Sequence, residues 1–314
     1  MYRSILVPLD GTHFAEHALP MAITLARQSA ARLLLTVVST PLAEAYVEGL
    51  YFSTLEMEQE MTGRHQSYLD GLVARVRQAA DVKVEAIVKH GEVAATLCDL
   101  VAHGEADLVV MATHGRSALG RFWLGSVTDE MIRHAACPLL LVRPEDEKVD
   151  LAEQPALSPI LLPLDGTELA EQILPYAIAL AESVPDAQIT LMRGIGAVIP
   201  VTTAPDVPEA EREARTLLLQ VQAMQERSRQ DAERYLERVA DRLRAKGLQV
   251  RTQVVVEDQP ALAILREAEQ ERAAVIALET HGRRGLSRLI VGSVADKVVR
   301  GAHVPVLVHR PTKA

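Results

Sequence analysis

Short apolar runs bounded by turn residues recur along the chain and alternate with segments of helical periodicity. Ile5–Leu9 is the first such run, and Leu108–Met111 is another. The segment from Val127 to Ala135, which follows the second run, carries its apolar residues at the spacing of one helix face. Each half of the chain gives the order β-α-β-α-β-α-β-α-β, which predicts a parallel sheet covered by helices on both faces.

The pattern occurs twice. Without gaps, sixteen of thirty-two positions are identical between Thr113–Pro144 and Thr280–Pro311. Fifteen of twenty-two are identical between Ile5–Ala26 and Ile160–Ala181. The chain is therefore a tandem repeat.

The length of 314 residues supports two domains, because a single hydrophobic core for a chain of this length would exceed the usual size. An acidic stretch that contains proline separates the two copies, and it reads as a linker. We predict a first domain over residues 1–145, a linker over 146–158 and a second domain over 159–314.

Composition narrows the class of protein. No apolar run approaches the eighteen residues of a membrane span, and the first residues lack a signal-peptide pattern, so we expect a cytoplasmic protein. The net charge of -9 argues against binding to nucleic acid or to an anionic membrane. Cys98 and Cys137 have no spacing for zinc or a disulfide framework, so we expect two small core residues.

Each half opens with an apolar run that stops at an aspartate, Asp10 or Asp165, followed by Gly-Thr. Thr12 and Thr167 are candidate helix caps. The aspartates either cap the following turn or contact a ligand, and the sequence alone does not decide between these roles.

Gly125 and Ser126 stand directly before a helical pattern, and Gly292 and Ser293 repeat them. The first N–H groups of a helix lack partners and carry partial positive charge, so this pair is a candidate phosphate site. Ordinary helix capping explains the same residues.

Both halves resemble the universal stress protein family. The resemblance rests on the strand that ends in Asp, the His-Gly turn, the Gly-Ser pair and the last Pro-Leu or Pro-Val strand. Nucleotide-binding members of the family show Gly-x-x-Gly, nine residues and then Gly-Ser or Gly-Thr. It implies two tandem doubly wound α/β domains, each with a parallel five-stranded sheet covered by helices on both faces. It also implies ATP as ligand, with Mg²⁺ or Mn²⁺ arriving on the nucleotide.

The resemblance assigns residues to two sites. In the first half Asp10 would contact the ribose or adenine side, Val37 would offer its backbone to the base, and the glycines and Ser126 would hold the phosphates. The first-half set is Asp10, Val37, Ala112, Gly115, Arg116, Gly125, Ser126 and Val127. The weaker second set is Asp165, Gly282, Gly292 and Ser293.

The chain departs from the family pattern where nucleotide-binding members have their first glycine. Ala112 stands there in the first half and Glu279 in the second. A carboxylate beside a triphosphate repels it, and the Glu279 side chain is expected to take part of the phosphate path. The change from His90-Gly91-Glu92 to Glu257-Asp258-Gln259 adds further negative charge. We therefore expect ATP in the first half and a weakened or empty second site.

No P-loop, nucleophile elbow or Cys/His metal cluster marks an enzyme. The favoured hypothesis is a stress-response protein in which ATP in the first domain tunes conformation or the binding of an unknown protein partner. The alternatives are a scaffold with degenerate sites and, more weakly, a slow ATP hydrolase. The resemblance also implies that the last strands of the two halves pair across a pseudo-twofold axis, as in a homodimer, with further homodimerisation left open.

Overall fold

The computed structural model describes residues 1–40, 54–113, 124–145, 147–197, 208–280 and 292–311 of the chain. The first half contains, in order, β1 (Ser4–Leu9), α1 (His13–Glu16), α2 (Leu19–Ser29), β2 (Arg32–Ser39), α3 (Thr54–Ala79), β3 (Val84–His90), α4 (Val93–Ala102), β4 (Leu108–Ala112), α5 (Ser126–His134) and β5 (Leu139–Val142). The second half contains β6 (Ile160–Pro163), a 3₁₀ helix (Ala170–Ile173), α6 (Leu174–Ala181), β7 (Gln188–Ile195), α7 (Pro208–Arg244), β8 (Gln249–Val256), α8 (Pro260–Gln270), β9 (Val275–Glu279), α9 (Ser293–Gly301) and β10 (Val306–His309).

All ten strands belong to one sheet, in the order β3-β2-β1-β4-β5-β10-β9-β6-β7-β8. Neighbouring strands are parallel within each half, whereas β5 and β10 are antiparallel, with Leu140 opposite Leu307. We call this antiparallel pair the seam. Each half is doubly wound and five-stranded, which confirms the predicted fold class.

Helices cover both faces of the sheet. Buried side chains of α2, α3, α6 and α7 share one hydrophobic core, and those of α4, α5, α8 and α9 share the other. Each core contains residues of both halves, so the seam does not interrupt either of them. The two halves therefore bury their apolar surface together.

The first helical pattern of each half is broken where proline enters. α1 ends at Glu16, and α2 begins at Leu19 with Pro20 in its first turn. In the second half the 3₁₀ helix ends at Ile173, and α6 begins at Leu174 with Pro175 in its first turn. Proline is tolerated in a first turn because the N–H it lacks would have no helical partner there.

The carboxyl ends of three strands lie two residues beyond the ends that the sequence pattern predicts. Alternation of polar and apolar residues predicts strands over Val82–Val88 and Leu248–Val254, whereas β3 runs from Val84 to His90 and β8 from Gln249 to Val256. The strand predicted over Ile189–Arg193 is β7, which continues to Ile195. Pairing with the neighbouring strand sets these ends, since Ser39 pairs with His90 and Ile195 with Val256.

The segment between β5 and β6 packs against the first half. Leu151 and Leu157 are buried in the core that also contains α2 and α3, and the Arg27 guanidinium donates to Gln154 at 2.7 Å. This segment is therefore held in place rather than freely extended. The exact domain bounds stay a prediction.

Candidate functional site

The candidate site of the first half lies at the carboxyl ends of β1 and β4, which are neighbours in the sheet. The strand order reverses between these two strands, because β2 and β3 extend to one side and β5 to the other. Ligands of open α/β sheets bind in the crevice at such a point. Asp10 directly follows β1, and Ala112 is the last residue of β4.

Asp10 closes the turn that leads into α1. Its Oδ1 accepts hydrogen bonds from the Thr12 amide at 3.0 Å and from the Thr12 hydroxyl at 2.6 Å. Thr12 caps α1, as predicted, by accepting from the Ala15 amide. Gly11 has φ +80°, a conformation that side chains disfavour, so glycine is required in this turn. The capping role of Asp10 is thus present, and its contact with ribose stays a prediction.

α5 begins at Ser126, as the sequence predicted. Gly125 is its N-cap, and the Gly125 amide donates to the Thr113 carbonyl at 2.9 Å, which ties the helix start to the end of β4. The Gly125 backbone has φ −61° and ψ 147°, which any residue adopts, so torsion does not require glycine here. Ser126 is exposed, and Val127 is half-buried against the core.

Thr113 is the residue that sequence reasoning missed. Its side chain is buried, yet its Oγ1 has no hydrogen-bond partner within the described part of the chain. The neighbouring Thr128 hydroxyl, by contrast, donates to the Ala112 carbonyl at 3.3 Å. The hydroxyl oxygens of Thr24, Ser29 and Thr36 are also buried without a partner among the described residues. Thr113 differs from them in its place, one residue beyond β4, at the predicted phosphate turn.

The other first-half candidates belong to the sheet or fall outside the description. Ala112 pairs with Val142 as an ordinary strand residue, so its methyl group causes no backbone strain. Val37 is buried and pairs with Leu9 and Val88. Gly115 and Arg116 lie outside the described residues, as does Gly282 of the second half.

Glu279 of the second half is a buried residue that contacts His309. Its carboxylate is buried between β9 and β10, where Oε1 lies 2.8 Å from His309 Nδ1, and the side chains of Glu279 and His309 are 2% and 6% exposed. Burial raises the pKa of Glu279 to about 7, although His309 opposes the shift. The side chain follows the buried face of β9 with Val275 and Ala277, and the expected repulsion of a triphosphate by Glu279 stays a prediction.

The second crevice differs from the first at the strand position that corresponds to Val37. Pro8 pairs with Thr36 and Pro163 with Met192, so the residue that corresponds to Val37 is Arg193. A side chain on Gly166 would begin 3.0 Å from the Arg193 guanidinium carbon, which itself lies 5.1 Å from the centre of the Tyr235 ring.

These three residues also line a cavity of about 590 Å³ beside α7, together with Asp231, Arg234, Glu237, Arg238 and Asp241. This cavity does not include Gly292 or Ser293, so it is separate from the start of α9.

The start of α9 nevertheless repeats the cap geometry of α5. Gly292 caps α9 with φ −57° and ψ 140°, and its amide donates to the Thr280 carbonyl at 2.7 Å. Asp165 repeats the turn of Asp10, because its Oδ1 accepts from the Thr167 amide at 2.9 Å and from the Thr167 hydroxyl at 2.6 Å. Thr167 in turn accepts from Ala170, as a cap would.

The two additional carboxylates that follow β8, those of Glu257 and Asp258, each contact a nearby group of the second half. Asp258 accepts from the Ala197 amide at 2.8 Å, and Glu257 lies 3.3 Å from Arg266. In the first half Glu92 caps α4 by accepting from Ala95 at 2.8 Å. The predicted increase in negative charge is therefore partly offset by these contacts.

Burial disfavours the thiolate form of both cysteines. Burial raises the pKa of Cys137 to about 12 and that of the half-buried Cys98 to about 11. Within the described ranges, no group of three or more His, Cys, Asp and Glu side chains could hold a metal ion. A search of the same residues finds no helix with the length and apolar character of a membrane span.

Comparison with known proteins matches this arrangement to one family. A sequence profile described as the Universal stress protein family matches residues 1–143 and again residues 157–310. The chain belongs to the universal stress protein family.

Individual relatives support the same family assignment. A universal stress protein of Mycolicibacterium smegmatis is 29% identical over 311 residues, which cover 98% of this chain and 97% of that protein. One of Mycobacterium tuberculosis is 33% identical over 212 residues, which cover 66% of this chain and 62% of the relative. The crystal structure of a universal stress protein from Archaeoglobus fulgidus has a TM-score of 0.63 and 19% identity, with 99% and 97% of the two chains covered.

This tandem universal stress protein also repeats a side-chain cluster that sequence reasoning missed. In the first half, Glu16 accepts from the Tyr68 hydroxyl at 3.1 Å and from Arg75 at 2.9 Å. In the second half, Glu171 accepts from the Tyr235 hydroxyl at 3.0 Å and pairs with Arg242. The long helix of each half, α3 or α7, is thereby fixed to the helical segment that follows the first strand.

Proposed function

We propose that this universal stress protein binds ATP in its first half, at the crevice between β1 and β4, and that the bound nucleotide tunes partner binding. The phosphates would lie against the start of α5 at Gly125 and Ser126. Asp10 would contact the ribose or adenine side. Val37 would contribute backbone contacts to the base.

The observation that carries the proposal is the turn between β4 and α5. It combines a helix start with amide donors, an exposed Ser126 and the buried Thr113 hydroxyl that lacks a partner among the described residues. Helix N-termini favour anions through these amides and through the helix dipole. Gly125 is not required by its torsion angles, which fits a need for close approach of a ligand.

Mg²⁺ or Mn²⁺ would accompany the nucleotide rather than occupy a protein cage. The described residues supply no three-ligand cluster, and Mg²⁺ is commonly held by substrate phosphates, a few carboxylates and water. The ion would neutralise phosphate charge in a protein whose net charge is -9.

The second half is proposed as the weaker site, for reasons different from the first expectation. Arg193 replaces Val37, and its guanidinium packs against Gly166 next to Asp165. Thr280, the counterpart of Thr113, is already engaged in an interaction. Both differences reduce what the second crevice offers to a nucleotide.

A thermal shift assay with Mg-ATP tests the proposal. A ligand at one hundred times its Kd stabilises the folded state by about 2.7 kcal/mol, which raises the melting temperature by about 5 °C. Gly125→Glu should abolish this shift, because a carboxylate would take the anion position. Gly292→Glu is a matched control, since Gly292 has nearly the same torsion angles, and it should leave most of the shift.

Equal losses in the two variants would contradict the assignment to the first half. Absence of any ATP-induced shift in the wild type, supported by equilibrium dialysis of ligand-stripped protein, would refute ATP binding itself.

A second candidate is an interaction protein that works without nucleotide. It is favoured by the first part of α7, where Leu218, Leu219 and Met224 are 49%, 59% and 62% exposed. Clustered exposed apolar residues mark interaction surfaces. If this candidate is correct, neither ATP nor Gly125→Glu should change the amount of partner protein that binds.

A further inference from the structure

The buried pair Glu279 and His309 has no counterpart in the first half. The corresponding positions are Ala112 and Val142, which pair across β4 and β5 as Glu279 and His309 pair across β9 and β10. The duplicated chain thus carries two ionisable side chains in one copy and two apolar ones in the other. The first half therefore provides an internal reference for the effect of this pair in the second half.

A net charge on this buried pair lowers the stability of the folded state. With no added proton it holds one negative charge, and with one added proton it is neutral. Burying an unbalanced charge is expensive, and Glu279 Oε2 has no hydrogen-bond partner among the described residues. The folded state therefore favours the form with one added proton.

Among the described residues, few other groups near the pair could balance this charge. α6 contributes Tyr176, whose ring centre lies 4.3 Å from that of His309. β5 and β6 contribute apolar residues, and Cys137, before β5, keeps its proton because burial raises its pKa to about 12. The 3₁₀ helix carries one carboxylate, Glu171, which is engaged by Tyr235 and Arg242.

The pair also lies where the halves meet. β10 is bonded to β9 on one side and to β5, across the seam, on the other. The Tyr2 hydroxyl of the first half donates to the Tyr176 carbonyl at 3.0 Å, and Arg310, next to His309, donates to the Arg133 carbonyl of the first half. A change in how β10 is held is therefore passed to contacts between the halves.

We propose that Glu279 and His309 form a proton-linked latch, which holds one added proton between β9 and β10 and loosens β10 and the seam when that proton is released to water. The latch acts without nucleotide, so it does not depend on the proposed ATP site. It would make the contact between the halves respond to pH near neutrality.

The direction follows from the pKa of Glu279, which is about 7 in the folded protein and 4.5 for the unperturbed side chain. Between these values the folded chain holds a proton that the unfolded chain has released. The stabilising contribution is therefore complete below pH 4.5 and is lost as pH rises through 7.

The test compares wild type with Glu279→Ala/His309→Val, which recreates the pair of the first half, and with Glu279→Gln, which removes only the titration. Urea unfolding is measured from pH 5 to 8. Relative to either variant, the wild-type unfolding constant should rise by up to about tenfold for each pH unit between 5 and 7. If the double variant does not fold, Glu279→Gln carries the test.

Hydrogen exchange gives the local measurement. Protection of β10 amides, expressed relative to the same amides in Glu279→Gln, should fall with rising pH by more than protection in β2, because β2 shares only the change in global stability. Parallel stability curves for wild type and Glu279→Gln would overturn the proposal. So would a Glu279 carboxyl that titrates near 4.5 by NMR in the folded protein.

Discussion

Leu307 of β10 lies opposite Leu140 of β5 at the centre of the seam, and the two side chains are 1% and 0% exposed. We expect Leu307→Ala to destabilise the first half as well as the second, because both contribute to one core. A buried Leu→Ala change costs about 3 kcal/mol, since it leaves a cavity. With a denaturant slope of about 3 kcal/mol per molar, the urea midpoint should fall by about 1 M.

Both cysteines of the chain, Cys98 and Cys137, lie in the first half, and the Cys137 side chain is buried. Labelling of Cys137 by a thiol reagent over a series of urea concentrations therefore follows the first half, and far-UV circular dichroism follows both. In Leu307→Ala the two signals should move together to lower urea. Leu219→Ala on α7 is the matched control, because this leucine is 59% exposed and its loss should shift the midpoint by less than about 0.2 M.

A midpoint of Cys137 labelling that stays in place, while circular dichroism gains a separate transition at lower urea, would refute this reasoning. The halves would then unfold independently despite the shared core.

Three further outcomes are expected. Tyr68→Phe and Tyr235→Phe should each cost about 1–2 kcal/mol in urea unfolding, because each loses a hydrogen bond to a glutamate; a loss in one half alone would show that the repeated clusters differ in strength. Glu92→Ala should cost about 1 kcal/mol through loss of the α4 cap, whereas Gln259→Ala, whose side chain does not cap α8, should cost a few tenths; equal costs would contradict the capping assignment. Cys137 should resist iodoacetamide at pH 8 in the folded protein and react in urea, because burial raises the pKa of its thiol to about 12; rapid labelling of folded protein would contradict this.

The repeated patterns made the architecture predictable. A short apolar run between turn residues is typical of a strand buried on both faces, and it occurs at corresponding places in both halves. The start of α5 at Ser126 was also predictable, because Gly-Ser precedes an apolar pattern with a spacing of three and four residues. Strand ends were less predictable, since the partner strand determines where pairing stops.

The contact between Glu279 and His309 was missed because thirty positions separate them, and only the strand register brings them together. One signal could have indicated it. Along β9, Val275, Ala277 and Glu279 share a face by the period of two, and β10 places His309 on the same face as Leu307. The missing partner of Thr113 could not be found from sequence, because it depends on the packing of every polar group nearby.

The seam leaves this long sheet with two outermost strands, β3 and β8, instead of the four that two unconnected sheets would have. Unpaired outer strands can recruit strands of other chains into aggregates. Here they carry exposed charged residues, Glu85 and Lys89 on β3 and Arg251 on β8, which oppose the stacking of another chain. Duplication has thus also halved the surface through which this protein could polymerise.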